Sequence, residues 1–79
     1  MNGTVAGLHL DNAVIETEYG FTLLQFMCSH NTEVGDRVSG PFTSEASQTM
    51  TNHSKNQSVR VSIENAGCGV EQAREWLRH

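Results

Sequence analysis

Between Ser58 and Glu64 the chain alternates without a break: Val59, Val61 and Ile63 fall on one side of an extended backbone, Arg60, Ser62 and Glu64 on the other. A period of two fits a strand with one buried face and does not fit a helix. Whatever this chain folds into must therefore give that strand neighbours and a covering layer. With 79 residues there is room for one domain, residues 1–79, and one core. A chain of this size buries only about 60–65% of the surface it exposes when unfolded, so each large apolar side chain counts. Charged residues make up 18% of the chain, and Ser, Thr, Asn and Gly are abundant. Disorder couples low hydrophobicity to high net charge, so this composition points to a folded domain with polar loops.

The N-terminal third also reads as strands. Ala6, Leu8 and Leu10 alternate with Val5, Gly7 and His9, and Asp11-Asn12 is a turn signal. Ala13 to Tyr19 alternates again, with Ile15 and Tyr19 opposite Glu16 and Glu18. Gly20 marks a second turn. Phe21 to Cys28 is apolar on both faces, as a central strand would be. The three form a meander with short connections. Ser29 to Gly40 is polar and reads as a loop, with room for a short strand at Arg37-Val38-Ser39.

Gly40 to Ala46 reads as a helix start. Pro41 stops a strand, Thr43 or Ser44 supplies a cap, Glu45 suits the positive end of the helix dipole, and Phe42 can pack back onto the first turns. Ala46 and Met50 continue that face at i, i+4, and the helix is expected to end near His53. This segment resembles the strand-to-helix junction of SPOR-type peptidoglycan-binding domains. That family alternates strand and helix from its start, whereas here three strands come first, so its function is not carried over. A last helix is expected from Gly69 or Val70 to Leu77, with Val70, Ala73 and Leu77 buried and Trp76 at the edge. The expected fold is α+β in the order βββαβα, with two helices on one face of a mostly antiparallel sheet. Leu23, Phe26, Met50, Val59, Val61 and Ile63 would share one layer with the last helix.

Charge narrows the function classes. Residues 1–36 carry Asp11, Glu16, Glu18, Glu33 and Asp36 and no Lys or Arg, and the basic residues of the remainder are scattered. Neutralising phosphates needs clustered Lys and Arg, so direct nucleic-acid binding is not expected. The five carboxylates are the candidate partner-binding residues, suited to a protein with a basic surface. The start, Met1-Asn2-Gly3-Thr4, lacks a basic, apolar leader, and no run approaches the roughly 18 apolar residues of a membrane span. Two cysteines without a leader suggest free thiols and a cytoplasmic setting.

Three constellations could carry chemistry. Cys28 and His30 form a Cys-x-His pair, and with His53 and Cys68 they make four metal-ligating side chains, but without the Cys-x-x-Cys spacing of a zinc knuckle. Cys68 lies between glycines before a helix, where a thiol can become nucleophilic. Its spacing to Arg74 is similar to that of phosphatase loops, but Glu71 would set a negative charge against the phosphate. Glu16 and Glu18 share a strand face about 7 Å apart, yet acid–base work needs one of them buried. These readings leave no catalytic residue, metal or cofactor to expect. The chain is expected to be a small non-enzymatic protein-binding module, inhibitor or accessory factor, of a kind often encoded by phages and other mobile elements. It would dock through its acidic face or a sheet edge and could pair as a homodimer. The rival is a small thiol- or metal-dependent enzyme using Cys28, His30, His53 and Cys68.

Overall fold

The alternation at Val59, Val61 and Ile63 belongs to a strand longer than its own pattern, and that extra length closes the structure. In the computed structural model, which describes residues 1–43 and 45–78, six strands precede one helix: β1 (Asn2–His9), β2 (Asn12–Thr17), β3 (Gly20–Phe26), β4 (Arg37–Ser39), β5 (Ser47–Asn52), β6 (Gln57–Cys68) and α1 (Val70–Trp76). All pairings are antiparallel, and the order β1-β2-β3-β6-β5-β4 returns to β1 as a closed barrel. The 12 residues of β6 serve two neighbours. Gln57 to Ser62 pairs with β5, and Val61 to Cys68 pairs with β3. β1 divides itself likewise, with Asn2 to Thr4 on β4 and Thr4 to His9 on β2.

The α+β expectation is therefore wrong: the domain is mostly β, and the first expected helix is a turn followed by β5. Ser47, Thr49 and Thr51 alternate with Gln48, Met50 and Asn52, a period of two that suits weak helix formers and β-branched residues. Met50 and Asn52 are both fully buried. Asn52 hid the pattern, because a buried polar residue reads as an exposed one. Phe42 does pack inward, but from a turn into the barrel core, and its carbonyl accepts from the buried Thr22 Oγ1 at 3.1 Å. Of the two cap candidates, Thr43 lies in that turn and Ser44 falls outside the described residues. With a single described helix, the expected helix pair on one sheet face does not exist. In the closed order no described strand ends a sheet, although β4 covers only Thr51 and Asn52 of β5.

The single expected layer is two. Inside the barrel lie Val5, Ile15, Leu24, Met50, Val59 and Val61 with their neighbours. Outside it, α1 covers Val14, Leu23 and Cys68 with Ala73, Trp76 and Leu77. A bulge between Val5 and Gly7 makes both possible. The extra residue leaves Val5 and Leu8 packed on the inner core, while Gly7 lies under Leu77, whose Cδ1 would be 2.5 Å from a Cβ placed there. Trp76 Nε1 donates to the Leu24 carbonyl at 3.0 Å, and Asn12 Nδ2 donates to the Trp76 carbonyl at 3.2 Å, fastening the helix to the wall. Val70, expected in the buried stripe, is 52% exposed.

Candidate functional site

Barrel register places residues from distant parts of the chain side by side. Glu16 on β2 faces Thr4 on β1, and Thr4 faces Arg37 on β4. β4 and β5 pair through Val38 and Asn52, so the next position sets Arg37 beside His53, whose amide donates to the Arg37 carbonyl at 2.8 Å. Directly paired residues point to the same face of a sheet. The outer wall thus carries a row Glu16, Thr4, Arg37, His53, acidic at one end and basic at the other. Glu18 and Asn2 extend it, and together these residues line a groove of about 600 Å³.

The acidic and basic residues of this row stand on strands separated by β1. Thr4 lies between Glu16 and Arg37, which puts their backbones two strand spacings, or about 10 Å, from each other. The ion pairs among the described residues involve other groups, and neither the Glu16 nor the Glu18 carboxylate nor the Arg37 guanidinium has a side-chain partner among them. The His53 ring is positioned by Ser39: its Nε2 lies 2.8 Å from Ser39 Oγ. The Arg37 amide is held by Ser54 Oγ at 2.9 Å, which fixes the basic end of the groove.

The five expected carboxylates do not share one face. Glu16 and Glu18 line the groove. Asp11 lies at the β1–β2 turn, beside Cys28 and His30 in a depression of about 480 Å³. Asp36 is buried, and it and Glu33 are engaged by Lys55 Nζ at 3.1 and 2.7 Å. Asp36 also accepts from Asn52 Nδ2 and from the Glu33 amide, both at 2.9 Å. These bonds, led by that from Asn52, hold its carboxyl below the usual carboxylate range against the opposing effect of burial. This cluster fastens the 32–36 segment to the β5–β6 turn.

The four residues of the thiol or metal reading are not brought together. Cys28 and His30 share the Asp11 depression, His53 belongs to the groove, and Cys68 is buried beneath α1. Burial pushes the Cys68 thiol up, with Glu45 adding to it, the reverse of what a nucleophile needs. No group of three or more His, Cys, Asp or Glu among the described residues is arranged to hold a metal ion. Two further surface features stand out. Leu10, at the β1–β2 tip, is 81% exposed and has φ 54°, a left-handed conformation uncommon for leucine. Tyr19, at the β2–β3 tip, is 67% exposed.

Sequence reasoning found Glu16 and Glu18, set His53 among the thiol and metal candidates instead, and missed Thr4 and Arg37. Only the register of β1 with β4 and of β4 with β5 unites them, and no local pattern announces either pairing. No family model, no curated protein and no solved structure matches this chain.

Proposed function

We propose that this chain is a non-enzymatic protein-binding module, acting as an inhibitor or accessory factor, that docks its partner in the groove across β2, β1 and β4. The observation that carries this reading is the row Glu16, Thr4, Arg37, His53, whose acidic and basic residues stand on backbones about 10 Å apart. Side chains left unpaired on a rigid wall can give their full interaction to an incoming group without first breaking a bond of their own. The partner surface that fits is basic where it meets Glu16 and Glu18 and carries an acidic side chain where it meets Arg37 and His53. Two residues seven apart on a helix, at 1.5 Å per residue, span about that distance. Complementary fields of this kind set orientation and association rate more than raw affinity. A cytoplasmic setting accompanies this reading, with Cys28 and Cys68 remaining free thiols.

The test uses a photo-crosslinking residue at Thr4, in the middle of the row, in native cells. One partner should be captured by the wild-type background and lost on Glu16→Lys with Glu18→Lys, with circular dichroism unchanged. Capture should also fall on Arg37→Glu. Equal recovery of the same partner from both reversals would reject the groove as the docking site.

A further inference from the structure

His30 sits where its protonation state is written into the hydrogen bonding. Its ring stacks on Phe26, with centroids 3.5 Å apart and planes 22° from parallel. Its Nδ1 accepts the backbone N–H of Thr32 at 3.2 Å. An acceptor nitrogen needs its lone pair, so this geometry requires neutral imidazole with the proton on Nε2. The imidazolium would carry a proton on Nδ1 facing the proton of the Thr32 amide, and the two donors would repel. Thr32 is itself buried, and its Oγ1 accepts from Asn52 Nδ2 at 3.3 Å. Asn52 also holds Asp36, which is tied to Lys55. The imidazole is the outermost link in a hydrogen-bond chain that fastens the 30–36 segment to the β5–β6 turn.

We propose that His30 is a pH-sensitive latch: the neutral ring, stacked on Phe26, holds the turn from His30 to Thr32 closed through the Thr32 amide, and its protonation releases that amide. The groups facing the ring decide where the latch trips. Asp11, from the β1–β2 turn, favours the cation, as does the face of Phe26. Cys28, the other titratable group lining the depression, is an exposed thiol. Glu33, Asp36 and Lys55 lie further along the chain of bonds, beyond Thr32 and Asn52. Burial opposes the cation and outweighs Asp11, holding the His30 pKa below its ordinary value, so the latch is shut at neutral pH. A folded pKa below the unfolded one adds stability above the unfolded value, about 6.5. That stability is lost as the pH falls through the folded value. Acidification therefore frees the Thr32 amide, while the Met27 amide stays on the Arg60 carbonyl. The device is independent of the groove and its partner.

The experiment follows the His30 ring by NMR through an acid titration and measures exchange of the Thr32 amide over the same range, corrected for the intrinsic pH dependence of exchange. Thr32 protection should fall by roughly tenfold or more as the ring protonates, the scale of one lost hydrogen bond. In His30→Asn, the side-chain oxygen can take the same N–H without titrating, as in an Asx-turn. Its Thr32 protection should stay level across the range. In His30→Ala, protection should be low throughout. Should the alanine variant fail to fold, the asparagine variant still decides. Thr32 protection that is constant through the wild-type ring titration, or that falls equally in His30→Asn, overturns the proposal.

Discussion

Replacing Asp36 by alanine tests whether the buried polar cluster holds the barrel end together. The carboxylate receives three bonds, from the Glu33 amide and Asn52 Nδ2 at 2.9 Å and from Lys55 Nζ at 3.1 Å. Without it, Asn52, which is fully buried, keeps only its 3.3 Å contact to Thr32 through that nitrogen. Orphaning a buried donor costs about 1–3 kcal/mol. Little is lost at the Lys55 arm, whose partly exposed side chain is screened by solvent and keeps Glu33 at 2.7 Å. The expected loss is about 1–3 kcal/mol, or roughly 5–20 °C in Tm for a domain of this size. Urea and thermal melts measure it. The sign with pH follows from the depressed carboxyl, for which the Asn52 bond is the leading cause. The contribution is complete above the unfolded value of about 3.9 and is lost as pH falls through the folded value. The gap between wild type and variant should therefore close in acid. A loss below about 0.5 kcal/mol, within the range of ordinary surface changes, would refute the reasoning. So would a gap that is undiminished well below the unfolded value.

Two other outcomes follow from the geometry. Leu10→Gly relieves a left-handed leucine whose side chain is 81% exposed. It should stabilise the fold by about 0.5–1 kcal/mol despite the freer unfolded chain, and a fall in Tm would contradict the strain assigned to that turn. In native protein, a thiol reagent should modify the exposed Cys28 quickly. Cys68, with its raised pKa, should react only as fast as the helix opens. Cys68 reacting first would contradict its burial.

How much was legible can be judged element by element. The strands at Val59 to Ile63 and over the N-terminal third were readable because apolar residues alternate there, and alternation directly reports which side chains face inward. The last helix was readable from Ala73 and Leu77. β5 was not, because its inward face is Met50 and Asn52 and only one of those looks like core. A proline, a cap candidate and an acidic residue before Ala46 then made a helix start credible by local rules alone. Asn52 is tolerated inside because Asp36, Thr32 and the Lys55 amide satisfy its side chain, and those partners lie beyond any local window. Half of the candidate groove was visible as two carboxylates on one strand. Its basic half depended on barrel closure, which follows from β6 being long enough to reach both β3 and β5.

That last strand has a consequence for how the molecule comes into being. Until residues 57–68 leave the ribosome, Leu23 to Phe26 has no second neighbour and β5 has no outer one. The nascent chain spends that interval with open flanks and uncovered leucine and phenylalanine, the condition in which chains stick to one another. A premature stop before Gln57 would not simply trim the domain by one strand. It would leave a ring that cannot shut, so the cell receives either the whole barrel or a substrate for its chaperones and proteases.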